Sequence, residues 1–159
     1  MNLTIQPAQR LKGDLSVPGD KSISHRALLL SALADEPSRI GHLLDEGDCR
    51  ATIECLRALG VRIEQTAPGE YLVQGRGMQW TEPELVLDCA GSGTTMRLLS
   101  GLLAGQRFFS VLGGNAQLRS RPMDRVVSPL RRMGARIEGR AGGRLAPLAI
   151  QGGPLQSVE

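Results

Sequence analysis

The residues best placed to do chemistry lie in Pro18-Gly19-Asp20-Lys21-Ser22-Ile23-Ser24-His25-Arg26, which runs directly into Ala27-Leu28-Leu29-Leu30-Ser31-Ala32-Leu33-Ala34. A Pro-Gly turn is followed by a helix-forming stretch that begins at about Lys21 or Ser22. A helix start offers free backbone N–H groups and the positive end of the helix dipole, and so attracts anions. Lys21 and Ser22 fall in the first turn, and Arg26, four residues after Ser22, shares its face. A lysine, a hydroxyl and an arginine on such a start make a cradle for a phosphate or carboxylate. The stretch is not a P-loop, because Asp20 separates Gly19 from Lys21 and no glycine stands at the required earlier position. The plain alternative is a solvated helix start with a Ser cap and a surface basic pair.

A second stretch of the same kind follows. Gly91-Ser92-Gly93 reads as a tight turn and Thr94 to Ala104 as a helix carrying Arg97 near its start. Alone, this is an ordinary turn with a Ser or Thr cap. It gains weight because the chain repeats itself. Leu56-Arg57-Ala58-Leu59-Gly60-Val61-Arg62-Ile63-Glu64 returns as Leu130-Arg131-Arg132-Met133-Gly134-Ala135-Arg136-Ile137-Glu138, identical at six of nine positions. The spacing implies two units of about 70 residues, roughly 10–78 and 82–153, each in the order β-α-β-α-β-β. Each unit then opens its first helix with a glycine turn, a hydroxyl and an arginine. Two such starts facing one cleft form a doubly positive anion site.

The elements that must position these groups follow from periodicity. Residues 3–6 and 11–17 alternate as strands do, Lys21–Ala34 reads as a helix, and Ser38–Leu43 as a short strand. Asp48 stands where an N-cap belongs, ahead of a helix through Leu59 that Gly60 ends. Val61–Gln65 and Tyr71–Gln74 flank Ala67-Pro68-Gly69 as a hairpin. In the second unit, Leu85–Leu87 and Phe108–Leu112 read as strands, Met123–Met133 as a helix, and a further hairpin runs from Arg136 to about Ile150. The fold class is α/β.

Composition narrows the partners. With 159 residues the chain can bury a sizeable core. A net charge of +3 is too small to argue for nucleic acid, and no basic stripe is interleaved with aromatics for base stacking. Basic residues concentrate between Arg97 and Arg144, a distribution that fits a small anion. Cys49, Cys55 and Cys89 lack CxxC spacing, and His25 and His42 are too isolated for a metal cluster, so reduced thiols and no metal are expected. No signal peptide or membrane span is recognisable, so the expectation is a soluble, cytoplasmic protein.

Three ordered motifs carry a resemblance: Pro18 to Ala27, Gly91-Ser92-Gly93-Thr94-Thr95-Met96-Arg97, and Leu118-Arg119-Ser120-Arg121-Pro122-Met123. In these the chain resembles the 3-phosphoshikimate 1-carboxyvinyltransferase (EPSP synthase) family. The resemblance implies a fold of two domains, each of three β-α-β-α-β-β units, of which this chain would hold two units of the amino-terminal domain. It implies transfer of the enolpyruvyl group of phosphoenolpyruvate to the 5-hydroxyl of shikimate 3-phosphate, with phosphate released and no cofactor. By position, Lys21, Ser22 and Arg26 resemble shikimate 3-phosphate contacts and Gly93 and Arg121 phosphoenolpyruvate contacts, with Arg97 supporting that pocket. Arg119, Arg125, Arg131 and Arg132 read as ordinary solvated faces, His25 as a structural neighbour, and Asp48 as a cap. The family commonly has Asn where Gly91 stands. Its catalytic Asp and Lys belong to the second domain, which this sequence lacks, so the catalytic residues are unassigned and an isolated chain is expected to be inactive. Two other readings remain open at this stage. One is a non-catalytic anion-binding fragment that complements a separate partner chain, and the other is a relative acting on a UDP-amino sugar such as UDP-N-acetylglucosamine. Two units of a three-unit domain also imply an uncovered apolar flank.

Overall fold

The computed structural model of the protein describes residues 3–7 and 10–158. From residue 10 to Asp20 the chain forms no strand, and Leu11 and Leu15 are 91% and 82% exposed. Residues 3–6 likewise form no strand. Alternation in these two stretches therefore overstates the structure. It decides which face a strand would bury, whereas a strand exists only where a neighbouring edge accepts its N–H and C=O groups. No described edge does so here.

Helix α1 (Lys21–Leu33) is followed by β1 (Ser38–Ile40), α2 (Gly47–Ala58), β2 (Arg62–Ala67) and β3 (Glu70–Gln74). The three strands form one antiparallel sheet in the order β1-β3-β2, with buried Ile63 opposite buried Val73. The second half contributes β4 (Leu87–Asp88), α3 (Gly93–Ala104), β5 (Phe109–Gly113), α4 (Ala116–Arg119), α5 (Asp124–Arg132), β6 (Arg136–Gly139) and β7 (Leu145–Gln151). Its sheet runs β4-β5-β7-β6, with β4 parallel to β5 and the other pairs antiparallel. Two strands are shorter than their sequence patterns, since pairing ends at Ile40 and begins at Leu87. The four-residue α4 has too few residues to show a helical period. Its signal is Asn115, whose Oδ1 accepts the Leu118 N–H at 2.9 Å.

A single hydrophobic core joins the two halves. Helix α2 is its centre, burying Cys49, Ala51, Thr52, Ile53, Cys55 and Leu56 and touching α1, α3, β2 and β4. Helix α1 buries Ser24, His25, Leu28, Leu29 and Ala32, a stripe at helical spacing.

The duplicated segment now has a physical account. Leu56 and Leu130 are both buried, as are Ile63 and Ile137. Gly60 and Gly134 adopt φ of +84° and +94°, a conformation that glycine takes without strain, and so end α2 and α5. Arg57 donates from Nε (3.2 Å) and Nη2 (2.7 Å) to the Ile63 carbonyl. Arg131 donates from Nε (2.9 Å) and Nη2 to the Ile137 carbonyl, and from Nη1 (2.7 Å) to that of Gly142. Each arginine thus grips an edge strand of its sheet, β2 or β6. This corrects the reading of Arg131 as a solvated face: the aliphatic spacing shows only that it lies off the apolar stripe, while the carbonyl it caps comes from a strand six residues on.

Replacing Arg131 with Met keeps the stem and removes the donors, leaving the Ile137 and Gly142 carbonyls without them. The expected cost is about 1–3 kcal/mol, measured as a lower urea midpoint at unchanged slope. A midpoint equal to the parent's would show that the clamp contributes nothing.

Candidate functional site

The start of α1 is built by close approach. A Cβ on Gly19 would lie 2.0 Å from the His42 carbonyl oxygen, so only glycine lets residues 42–44 pack against this turn. Asp20 is the N-cap, its Oδ1 accepting the Ile23 N–H at 2.8 Å. Ser24 then ties the turn down, donating to the Asp20 carbonyl at 2.8 Å and accepting the Leu44 N–H at 3.0 Å. The amides of Lys21 and Ser22 precede any intrahelical partner and remain at the helix end. Lys21 and Arg26 are exposed, and Arg26 Nη1 donates back to the Ser22 carbonyl at 3.0 Å, which folds its guanidinium over the first turn.

Asp48 is not the cap of α2. The helix begins one residue earlier, at Gly47, whose φ of +39° turns the chain into it, and the N-cap residue Glu46 makes no side-chain capping bond. Asp48 instead lies in the first turn and accepts from Lys21 Nζ at 3.2 Å. With the Lys21 side chain 54% exposed, the pair contributes about 0–1 kcal/mol of stability. Its effect is positional: the ammonium is held where α1 and α2 begin.

The start of α3 uses a neutral cap. Ser92 Oγ accepts the Thr95 N–H at 3.1 Å, leaving the Gly93 and Thr94 amides at the helix end. Gly93 is buried under two arginines, since a Cβ there would lie 2.6 Å from Arg97 Nη1 and 3.5 Å from Arg121 Nη1. Arg97 is fixed by donating from Nη2 to the Pro122 carbonyl at 2.9 Å, and its buried Nε has no partner among the described residues. Desolvation, and then the charges of Arg125 and Arg121, push the Arg97 guanidinium below its usual range. Among the described residues neither Arg97 nor Arg121 pairs with a carboxylate. At the position of Gly91 a Cβ would meet Asn115 Nδ2 at 3.2 Å, so a larger residue there presses on the α4 cap.

The two starts are tied together inside the protein. His25 Nδ1 lies 2.7 Å from Thr52 Oγ1, Thr52 Oγ1 lies 2.7 Å from Thr95 Oγ1, and Thr95 Oγ1 lies 2.7 Å from Ser92 Oγ. Thr95 Oγ1 also reaches the Asp48 carbonyl at 3.3 Å. All four side chains are buried. Lys21, Ser22 and Arg26 therefore gather on α1, Gly93, Arg97 and Arg121 gather at α3, and α2 carries the contacts that join the groups. Sequence reasoning missed Thr52, Thr95 and the role of Asp48. Thr52 and Thr95 sit on helical faces expected to be apolar, and a polar residue on such a face was the available signal.

What such an arrangement offers is cations and oriented amides, groups of the kind that stabilise phosphate or carboxylate oxygens. No group of three His, Cys, Asp or Glu among the described residues could hold a metal ion. No helix among the described residues is long and apolar enough to cross a membrane. Cys49, Cys55 and Cys89 are free and buried. Burial holds the His25 imidazole below its ordinary range, opposed by Asp48 and reinforced by Lys21 and Arg26.

The sign of the His25 effect is fixed. The unfolded imidazole titrates at about 6.5 and the folded one lower, so between the two values the unfolded chain binds more protons. Stability is therefore complete above about pH 6.5 and falls as the pH drops toward the folded value. Urea midpoints measured from pH 7.5 to 5 should show this loss, and His25→Asn, which keeps a polar group near Nδ1 but cannot titrate, should flatten the slope. Equal slopes in the two proteins would contradict it.

Residues 5–159 match the family model for EPSP synthase (3-phosphoshikimate 1-carboxyvinyltransferase). The chain is 54% identical over 160 residues to the 3-phosphoshikimate 1-carboxyvinyltransferase of Citrifermentans bemidjiense, covering 99% of this chain and 37% of that relative. It is 52% identical over 155 residues to the enzyme of the same name from Thermus thermophilus, covering 97% of this chain and 36% of the relative. Among solved structures, EPSP synthase from Acinetobacter baumannii superposes with a TM-score of 0.88 at 41% identity, over 92% of this chain and 33% of that one. The chain thus spans little more than a third of the length of the curated relatives it matches.

Proposed function

The chain belongs to the EPSP synthase family, and from that premise we propose that it carries a substrate-binding face of a cytoplasmic transferase of aromatic amino acid biosynthesis. The whole enzyme moves the enolpyruvyl group of phosphoenolpyruvate onto the 5-hydroxyl of shikimate 3-phosphate. In the addition step the hydroxyl gives up its proton as its oxygen bonds to C2 of phosphoenolpyruvate, and the methylene carbon gains a proton, giving a tetrahedral intermediate. In the elimination step the C2–O bond to phosphate breaks, the methyl group loses a proton, and inorganic phosphate leaves. Both substrates are multiply anionic, so the main task of this chain is to hold two mutually repelling molecules at attack distance.

The carrying observation is the pair of guanidiniums, Arg97 and Arg121, that crowd the Cα of Gly93 without a carboxylate partner among the described residues. In this reading Gly93 and Arg121 receive phosphoenolpyruvate, and Arg97, anchored on Pro122, backs them. Lys21, Ser22 and Arg26 hold the 3-phosphate of shikimate 3-phosphate, with Lys21 also near phosphoenolpyruvate. Arginine suits the first pair because its planar fork matches a carboxylate or phosphate, while lysine supplies a movable point charge. The rest of the longer enzyme supplies the remaining groups of the reaction.

Calorimetric titration of the 159-residue chain with each substrate at low salt tests this. Binding is expected for both, weakened by added salt, and phosphate release at an ordinary enzymatic rate is not expected from this chain by itself. Arg121→Met should weaken phosphoenolpyruvate binding about tenfold or more, the worth of a lost charge-assisted hydrogen bond, with a smaller effect on shikimate 3-phosphate. Gly93→Ala displaces the Arg97 guanidinium and should act in the same direction. Unchanged affinities in both variants would remove Arg121 and Gly93 from the site.

A further inference from the structure

We infer that Thr52 and Thr95 are positioning residues for this anion site, joining the starts of α1, α2 and α3 through a one-way chain of hydrogen bonds. The chain runs from His25 Nδ1–H to Thr52 Oγ1, from the Thr52 hydroxyl to Thr95 Oγ1, and from the Thr95 hydroxyl to Ser92 Oγ. The inference rests on the reading of the site given above.

The direction follows from counting protons. Each hydroxyl has one hydrogen to give and two lone pairs to receive with. Ser92 Oγ receives both the Thr95 N–H at 3.1 Å and, with its second lone pair, the Thr95 hydroxyl hydrogen at 2.7 Å. With its one hydrogen committed to Ser92, a nearer acceptor than the Asp48 carbonyl at 3.3 Å, Thr95 Oγ1 can only receive from Thr52. The Thr52 hydrogen is thereby committed to Thr95, so Thr52 Oγ1 receives from the imidazole at 2.7 Å. The imidazole must carry its proton on Nδ1. This leaves Nε2 as a bare lone pair, and Nε2 is the one His25 nitrogen without a partner among the described residues. The opposite direction places a proton on Nε2, a buried N–H with no acceptor among the described residues, and also strips Ser92 Oγ of the Thr95 hydrogen. Buried donors without acceptors are the rarer and costlier defect.

The consequence for the site is geometric. His25 lies between Ser22 and Arg26 on α1, Asp48 is the residue that holds Lys21, and Thr95 is two residues from Gly93. The shared hydrogens fix the phosphate-binding turn of α1 relative to the arginine-flanked turn of α3 across the boundary between the two repeats. None of these hydroxyls is exposed, so they act through the groups they hold.

Two measurements test the inference. In the wild-type chain, a long-range nitrogen–proton correlation spectrum at pH 7.5 reads the tautomer of His25. Protonated Nδ1 and bare Nε2 are expected, and protonated Nε2 overturns the direction of the chain without reference to any ligand. Next, inorganic phosphate is titrated while the amides of Ser22, Ile23, Gly93 and Thr94 are followed. The wild type and Thr52→Ser, which keeps the hydroxyl, should shift all four with similar midpoints. Thr52→Val, which keeps the shape, should lose the single tautomer, and the midpoints at α1 and α3 should separate by about fivefold, the worth of one hydrogen bond. If Thr52→Val does not fold, Thr95→Ser and Thr95→Val provide the same comparison. Matching midpoints in a folded valine variant overturn the positioning role. Absence of any phosphate shift in the wild type overturns that role together with the anion-site reading, and the tautomer result then stands alone.

Discussion

A helix that buries half of its residues over a broad face needs more than one neighbour, and α2 is that helix. Its apolar residues cannot be covered by the sheet of its own half, because β2 reaches only part of it; α1, α3 and β4 cover the rest. Burial of several full side chains, each contributing about 1.5–3 kcal/mol, therefore depends on both halves closing on it together. That requirement brings the beginnings of α1 and α3 to one region. The placing of the residues proposed to receive anions is a product of how the core closes.

The same closure lets like charges stand together. Arg97 and Arg121 approach one glycine while the backbone of Pro122 holds the first of them in place. Such charges would separate on a flexible surface. Here fully buried Met96, Leu99 and Met123 anchor the segments that carry the two arginines. Helix α1 solves the related problem differently. Its cap Asp20 is acidic and offset by Arg26, and Lys21 is balanced by Asp48, so this end is close to neutral. The two starts are equivalent in topology and unequal in charge.

Much of this was legible in the residues. Helical spacing in Ile53, Leu56 and Leu59, glycines after α2 and α5, and the repeated Leu-Arg…Gly segment placed most helices and both hairpins. The stretch before Asp20 was not legible, since alternation in Leu11, Leu15 and Val17 carries no information about whether an edge is available. Asp48 was misread because a carboxylate at a helix start serves equally as a cap or as a first-turn residue, and only the positive φ of Gly47 separates the two. Thr52 and Thr95 were invisible for another reason. They are 43 residues apart, and nothing local in either helix announces that their hydroxyls meet.

The forked grip of Arg57 and Arg131 on single carbonyls has a bearing on how family members are compared. Two nitrogens of one planar group converge on one oxygen, an arrangement that an ammonium on a flexible stem does not reproduce. Exchange of arginine for lysine, commonly harmless on a protein exterior, is thus disfavoured at these two places by the architecture of the hairpins. Identity there reports on the shape of the scaffold and is no index of which molecules a given relative takes up.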